Sequence, residues 1–445
     1  MHRVDKGMTL VAARARLYGG RALEQDSFLS LFRRYPSLVM LSVATAIIML
    51  GQGITSPVLP LYARSFGVSA ASVGLTISAF GFARLLLNIP VGVVSDRFGR
   101  RLVLVGGPVV VAVGSVLSAL AGDLFQLMVW RFVSGAGSAM YMTGAAVYLT
   151  DIAEPGNRAR MMSLNQGSLL AGVSFGPAVG GLVAEVAGLR APFYFVAALA
   201  AICALWGFLA IPETVSAETR RSRAPSPAGD GGAGVREALA LLRSAPFFLV
   251  SLVTLGTFMT RTGGRQTVLP LLGADRFGMS VGALGLIFTV ISVLNLVAVP
   301  LAGTLADRWG RKAVIVPSAL VTGVSLVMFA LAGQMWFLFL AAVVQGLATG
   351  FGGPAPAAYA ADIAPERSRG FAMGLYRSYG DLGFVVGPPL MGWISDASTY
   401  AGALYFNTAL VVVGALAFAA WAPETVRRSR PGPAQPADPD VAPRR

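Results

Sequence analysis

Six ionisable side chains lie inside long apolar stretches of this 445-residue chain, where a charge is costly to hold and is therefore a functional candidate. Asp381 is the acid among them, and it can take up and release a proton. Arg377 stands one helical turn before it. Arg261 and Arg265 are four residues apart, so they share one face of a helix and present two positive charges together. The other two are Arg84 and Arg131.

The sequence holds few other reactive groups. Its one cysteine is Cys203 and its one histidine is His2, which excludes a His/Cys metal site and a Cys/His nucleophile pair. Neither a G-x-S-x-G turn nor a Walker loop occurs. We therefore expect no enzyme, no ATP-driven pump and no cofactor, and an ion gradient as the source of energy.

The elements that hold these residues are membrane helices. Apolar residues make up 55% of the chain and charged residues 13%, whereas a soluble core of this size needs a more charged surface. A membrane span takes about 20 mostly apolar residues, and lipid leaves unpaired backbone groups without partners. The sequence predicts an all-α membrane protein with twelve such runs, near 37–61, 70–95, 102–121, 124–150, 161–185, 192–212, 246–272, 280–304, 313–333, 336–361, 371–394 and 402–422.

The chain also repeats itself. The pattern Gly-x-x-x-Asp-Arg-x-Gly-Arg, which begins at Gly92, returns at Gly303 with an offset of 211 residues. The same offset carries Tyr148 to Tyr359 and Asp151 to Asp362. Two copies of one unit in so apolar a chain are typical of transporters built around a central site.

The net charge of +14 suggests nucleic acid as a partner at first sight, but the charges are placed as in a membrane protein. With the N-terminus inside the cell, 27 of the 35 Lys and Arg fall on cytoplasmic segments. This asymmetry is the positive-inside rule. We expect a multi-pass protein of the inner (plasma) membrane with both termini cytoplasmic, in contact with lipid and not with nucleic acid.

The polar segments divide the chain into five parts. Residues 1–36 form a cytoplasmic arm without a signal-peptide core, and residues 213–245 form a polar linker. Residues 426–445 form a Pro-rich tail that is expected to be disordered. Two six-helix bundles, 37–212 and 246–425, lie between them, and we expect a monomer.

Three further motifs accompany the repeated loop. Helix 4 carries Arg131-Phe-Val-Ser-Gly-Ala-Gly137, helix 1 carries Pro57-Val-Leu-Pro60, and helix 5 carries Gly172-Val-Ser-Phe-Gly-Pro-Ala-Val-Gly-Gly181. With these, residues 37–425 resemble the major facilitator superfamily, and within it the 12-helix drug:proton antiporters. The resemblance implies two pseudo-symmetric six-helix bundles that move by rocker-switch alternating access.

The resemblance assigns a gating role to the repeated loop. Asp96 is expected near the N-terminus of helix 11, where the helix dipole favours a carboxylate, and Arg100 is expected to pair with Asp151. The repeat predicts the twin set Asp307, Arg311 and Asp362 with helix 5 as neighbour. The alternative is a basic loop that only sets topology. The rest of the motif is Gly92, Arg97, Gly99, Gly303, Arg308 and Gly310.

The glycines of helix 5 form a stripe. Gly172, Gly176 and Gly180 recur every four residues on one face, so they permit close helix packing, and Pro177 bends the helix. The resemblance implies helix 8 as the partner and a seal against ion leak, with Gly181 in the same motif. Generic small-residue packing is the alternative.

The resemblance also places helices 1, 4, 7 and 10 around the cavity. Arg131, Arg261 and Arg265 would then form a positive zone in its outer half, while Gly263 and Gly264 loosen helix 7. The excess of positive charge favours neutral, zwitterionic or anionic amphiphiles. Arg131 could instead position helix 4, and the helix-7 arginines could reach towards the surface. Further candidate contacts are Gln52, Tyr141, Tyr148, Gln345 and Tyr359.

Coupling is assigned to Asp381. Helices 2 and 11 face each other in this fold, so Arg84 or Arg377 can pair with Asp381. A pair that breaks in one state changes the proton affinity of the carboxylate with conformation. A permanent structural ion pair is the alternative. Glu185 and Asp396 are expected near the outer surface, exposed to solvent.

These observations favour a proton-coupled exporter of an amphipathic organic compound such as a drug or secondary metabolite. A proton-linked or facilitative carrier of an organic anion, which could work as an importer, is the second hypothesis. A non-transporting membrane receptor with the same fold is the third.

Overall fold

The computed structural model describes residues 34–154, 157–213, 241, 243–365 and 369–425, and every regular element in these ranges is a helix. Twelve helical segments follow one another. They are α1 (Pro36–Arg64), α2 (Ala70–Phe98), α3 (Arg100–Ala119), α4 (Leu124–Ile152), α5 (Arg158–Ala187), α6 (Ala191–Ala210), α7 (Ala245–Phe277), α8 (Val281–Trp309), α9 (Arg311–Leu331), α10 (Met335–Ile363), α11 (Arg369–Ala397) and α12 (Tyr400–Trp421).

The helices coincide with the twelve apolar runs to within a few residues at most ends. Ten of them are long and apolar enough to cross a membrane. The exceptions, α4 and α11, are rich in Gly and Ser and carry the buried Arg131 and the half-buried Asp381. The arm before residue 34, most of the predicted linker and the tail after residue 425 lie outside the described residues.

The 211-residue repeat is also a repeat of backbone geometry. Ser69 caps α2 by accepting a hydrogen bond from the backbone of Ser72, and its equivalent Ser280 caps α8 in the same way. Gly99 and Gly310 end α2 and α8 with φ of 107° and 109°, a conformation that residues with a Cβ rarely adopt. The chain therefore turns sharply at both places and starts the next helix at once.

Helix packing follows the same symmetry. In the first half, α1 packs on α5 and α6, α2 on α4, and α3 on α4 and α6. In the second half, α7 packs on α11 and α12, α8 on α10, and α9 on α10 and α12. The halves meet where α2 packs against α11 and α5 against α8, so two equivalent interfaces join them.

The glycine stripe of α5 packs on α1, which corrects the expectation that it packs on α8. A Cβ at Gly172 would overlap the carbonyl of Ala46, and one at Gly180 would overlap that of Ile54. Gly176 lies against Gly53 of α1 in the same manner. Because the nearest atoms at all three glycines belong to α1, the stripe holds α1 and α5 together as a unit.

The α5–α8 interface uses the neighbouring positions of the same motif. Ser174 donates a hydrogen bond of 3.0 Å to the carbonyl of Ser292, and Gly181 lies against the backbone of α8 at Val281. The carbonyl of Pro177 closely approaches Gly285. The motif therefore presents one face to α1 and another to α8.

Two substitutions on α5 test this packing. Gly180→Ala should destabilise the protein, since the added Cβ meets the backbone of α1, which cannot move aside cheaply. Gly167→Ala is the matched control, because a Cβ there meets no atom within 4 Å and alanine favours the helix. Thermal unfolding in detergent should show a loss of about 1–3 kcal/mol for the first variant only. Equal melting of both variants would contradict the packing.

Candidate functional site

The two halves are joined at one face of the helix array, the face that carries the α1–α2 and α7–α8 turns and is called here the far face. Asp396, at the end of α11, accepts hydrogen bonds of 2.9 and 2.8 Å from the backbone N–H groups of Ala70 and Ala71 at the start of α2. Glu185, its equivalent in the repeat, contacts Ser280 at the start of α8 at 3.3 Å. Each carboxylate of one half thus meets a helix N-terminus of the other.

Glu185 and Asp396 are exposed at this face, as expected, and each also contacts the other half. Glycines make the close approach possible. A Cβ at Gly392 would overlap the carbonyl of Ala70, and one at Gly74 would overlap the backbone of Pro388. Gly282 gives Glu185 the same room at α8. The two carboxylates with their helix N-termini are called the far-face latch below.

A further pair of charges lies at the same level. Arg64 at the end of α1 approaches Asp275 of α7 to 3.9 Å, and Tyr400 of α12 donates a 2.6 Å hydrogen bond to the same carboxylate. The contact of Arg64 with Asp275 also bridges the two halves, whereas Tyr400 and Asp275 belong to the same half. Both charged side chains are partly exposed, so the pair adds little stability by itself.

At the opposite face, the terminal face, where α1 begins and α12 ends, the halves are apart. The hydrogen bonds and close glycine contacts between α2 and α11 involve the part of α2 next to the far face, which begins at Ala70. On α11 they involve the part from Phe384 to the end of the helix. A Cβ at Gly92, Gly303 or Gly374 would meet no described atom within 4 Å. The array is therefore closed at the far face and open at the terminal face.

The motif at the terminal face forms ion pairs within each half. Arg100, 2% exposed, pairs with Asp96 at 2.7 Å and Asp151 at 2.9 Å. Arg311 makes the twin contacts with Asp307 and, at 3.3 Å, with Asp362. The side chain of Asp96 is 57% exposed and pairs with Arg100, and no hydrogen bond or ion pair joins it to the described residues of α11. Arg97 and Arg308 are exposed.

Sequence reasoning missed the partners of the next helices. Glu213 accepts hydrogen bonds from the backbone N–H groups of Arg100 and Arg101 at the start of α3. Glu424 does the same at the start of α9 with Arg311 and Lys312. The sequence contained a signal for these contacts, because both glutamates belong to a Pro-Glu-Thr triplet that recurs at the same offset of 211 residues. Each of these contacts lies within its own half. It joins the first turn of the helix that follows the repeated loop, α3 or α9, to the segment after the last helix of the same half.

A polar cavity of about 380 Å³ lies between the open face and the middle of the array. Local backbone irregularity shapes it. Helix α7 is a π-helix from Thr260 to Val268, which agrees with the prediction that Gly263 and Gly264 loosen this helix. Turns of π-helix often mark functional sites. Helix α10 is interrupted at Gly353, just before Pro354, and this break also lines the cavity.

Three of the predicted contact residues line this cavity, namely Arg261, Arg265 and Gln345. The lining contains no carboxylate among the described residues. Sequence reasoning missed its uncharged polar members, because it searched the spans for ionisable groups. They are Gln166, Ser174, Thr254, Thr257, Thr260, Ser292, Asn295, Thr349 and Tyr376.

Arg131 is separated from the other two arginines. It lies with Gln52 in a small pocket of about 20 Å³ nearer the far face. Its guanidinium group stacks over the ring of Phe80 at 4.7 Å, and its side chain is 8% exposed. The single positive zone expected from the sequence is therefore divided in two.

The three tyrosines lie in packed regions away from the cavity lining. Tyr141 donates a hydrogen bond of 3.1 Å to the carbonyl of Leu41, and Tyr148 bonds to Ser37. Tyr359 donates one of 2.8 Å to the carbonyl of Pro423. In this conformation they fasten neighbouring helices.

Asp381 lies near the middle of α11, half-buried. Arg84 on α2 and Arg377 on α11 are close enough to attract the negative charge of Asp381, and Arg84 attracts it more strongly. No direct ion pair joins Asp381 to either arginine in the described part of the chain. The Nε of Arg84 is buried without a hydrogen-bond partner. Arg84 of α2 and Asp381 of α11 are therefore close, as predicted, but do not form a direct ion pair among the described residues.

Known proteins share this architecture. The family model of the Major Facilitator Superfamily matches residues 41–280 and 255–443. Multidrug resistance protein 2 of Bacillus subtilis is 25% identical over 82% of this chain and 90% of its own length. Quinolone resistance protein NorA of Staphylococcus aureus is 24% identical over 79% and 87%. The crystal structure of the nucleoside transporter NupG superposes with a TM-score of 0.69, 16% identity and coverage of 86% and 98%.

The far-face latch predicts a shift of conformation. Asp396→Asn should weaken the contact with the N-terminus of α2 by about 0.3–2 kcal/mol and populate a form open at the far face. Glu185→Gln should act less, because Glu185 contacts a hydroxyl where Asp396 accepts two backbone bonds. Distances between spin labels at the far-face ends of α2 and α11 report the change. Unaltered distances in the Asp396 variant would refute the latch.

Proposed function

The chain belongs to the major facilitator superfamily, and we propose that it is a proton-coupled secondary transporter that exports amphipathic organic compounds by alternating access. Membership of the family makes it a multi-span membrane transporter rather than an enzyme. One observation carries the proposal. A polar cavity in the middle of an apolar helix array is closed at one face and open at the other.

We take all twelve helices as membrane spans, arranged as six-helix bundles over 37–212 and 246–425. The distribution of Lys and Arg then makes the terminal face cytoplasmic. On this assignment the conformation described above is inward-open, and the cavity takes its substrate from the cytoplasm. The proposal also covers the cytoplasmic termini and the plasma membrane location.

The outward-open state requires the terminal face to close. A Cβ at Gly92 or Gly303 would meet no described atom within 4 Å, which leaves room for α11 and α5 to approach the two loops. Asp96 would then reach the N-terminus of α11, as Asp396 now reaches that of α2. Each end of the molecule would thus be held shut by carboxylates at helix N-termini, in alternation.

Proton coupling is proposed for Asp381. It stands between the halves, close to Arg84 of the opposite half but without a direct ion pair. When the halves rock, the distance between Asp381 and Arg84 changes, and with it the proton affinity of the carboxylate. Binding of a proton from outside would favour one arrangement and its release to the cytoplasm the other.

Export is supported by relatives whose names denote resistance, one to multiple drugs and one to quinolones. Proteoliposomes with an imposed pH gradient test the whole proposal. Net movement of an amphipathic dye against its own gradient should follow proton influx and stop with an uncoupler. Dye movement that ignores the pH gradient would refute proton coupling.

Asp96→Asn should favour the inward-open state, because it removes the charge that would hold the terminal face shut. The expected loss is about 0.3–2 kcal/mol of stability of the outward-open state. Transport should fall while expression stays near normal, and Asp307→Asn should have a milder effect. Spin-label distances across the terminal face should lengthen on average. Full activity with unchanged distances would remove Asp96 from the gate.

Asp381→Asn should abolish transport driven by a pH gradient and preserve substrate binding. Asp381→Glu, the matched control, should retain part of the activity with a shifted pH optimum. Flux, binding and thermal stability should be measured on the same purified variants. If Asp381→Asn melts early and Arg84→Ala combined with Asp381→Ala recovers stability, the pair is structural. A stable Asp381→Asn protein with normal pH-driven flux would end the coupling assignment.

A further inference from the structure

The central cavity holds positive charge without a counter-charge. Arg261 and Arg265 both line it, and no carboxylate belongs to its described lining. Neither arginine forms a hydrogen bond or ion pair with the described residues, and the Nε of Arg265 is buried without a partner. Arg265 is half-buried and Arg261 is exposed to the open cavity, so both guanidinium groups are within reach of a ligand that enters it.

We infer that the substrate is an organic anion whose acidic group binds Arg261 and Arg265 and whose apolar body fills the rest of the cavity. The inference rests on the proposed transport function and specifies the chemistry of its cargo. It excludes organic cations as the preferred class.

Neighbouring charges strengthen the requirement for an anion. Arg84 lies within electrostatic range of Arg261, and Arg261 within range of Arg265. Against these three positive groups stands one carboxylate, Asp381, which interacts with Arg84 and lies outside the cavity lining. Like charges in a medium of low dielectric repel each other strongly. A bound anion relieves this repulsion, whereas a bound cation adds to it.

The local backbone holds the two guanidinium groups in place. Both arginines lie in the π-helical segment of α7, four residues apart. The guanidinium group of Arg265 also rests over the ring of Phe288, 5.8 Å from its centroid. Arginine forms paired hydrogen bonds with planar carboxylates, so two arginines on one wall suit an acidic group.

Uncharged groups also line the cavity. Gln345 is among them, but its side chain is 1% exposed, so its Oε1 lies behind the surface that a ligand can touch. Leu170, Val173, Phe258 and Val299 supply apolar surface between these polar groups. A cavity of about 380 Å³ lies within the usual size range for small organic ligands.

Matched probes of one size test the inference. The full chain, purified in a non-ionic detergent, is titrated by calorimetry with 2-naphthoate, 2-naphthamide and 2-naphthylmethylammonium, and with inorganic phosphate. The naphthoate should bind about ten-fold tighter than the amide, because it makes charge-assisted hydrogen bonds. The ammonium compound should bind more weakly than either. Phosphate alone should compete weakly, since it lacks the apolar body.

Variants locate the preference. Arg261→Gln and Arg265→Gln should each remove most of the ten-fold advantage of naphthoate while changing naphthamide affinity less, and Arg265→Lys should keep part of it. Arg276→Gln is the matched control, an exposed arginine on the same helix, and should keep the preference. If the glutamine variants fail to fold, the ranking of the probes on the unaltered protein still decides.

Equal binding of the three naphthalene probes, or tightest binding of the ammonium compound, would overturn the inference. So would a preference for naphthoate that survives both glutamine changes. Flux assays separate this outcome from failure of the proposed function. The inference alone fails if pH-driven transport occurs without preference for the anion. The proposed function alone fails if naphthoate binds at Arg261 and Arg265 but is never transported.

Discussion

The arrangement of this molecule depends on one constraint, that the N–H groups at a helix N-terminus need partners wherever two helix ends meet. Carboxylates supply several of them. Glu213 and Glu424 do so inside each half and keep α3 and α9 fixed to their bundles. Asp396 does so between the halves, and Glu185 at the equivalent position accepts a hydrogen bond from the hydroxyl of Ser280. The first two contacts lie within one half, and the last two join the halves.

The distribution of charge follows from this division. Carboxylates are used at the faces, where water and helix ends can stabilise them, and arginines occupy the interior. Asp381 is the exception, since it lies near Arg84 at the boundary of the halves. In the proposed mechanism, the positive interior binds the cargo through its charge, and Asp381 responds to the movement of the halves.

Much of the fold could be predicted from the sequence, because hydrophobic length specifies helices and a fixed offset specifies symmetry. The offset also led correctly to the twin of Arg100 and Asp151 at Arg311 and Asp362. It would have found the far-face latch too, since 211 residues separate Glu185 from Asp396. The face to which a glycine stripe turns, and the wall to which Arg131 belongs, depend on helix rotation, which periodicity does not determine. That is why α1 rather than α8 receives the stripe.

Arg64 and Asp275 are also 211 residues apart, so the charged pair at the far face joins two copies of the same position. Equivalent positions that touch each other must lie beside the pseudo-twofold axis. In a perfectly duplicated ancestor, both would have carried the same residue, and an arginine would have faced an arginine. Attraction at such a point is open only to a single chain whose copies have diverged. The contact thus needs two halves that differ in sequence, since a symmetric homodimer could not form it.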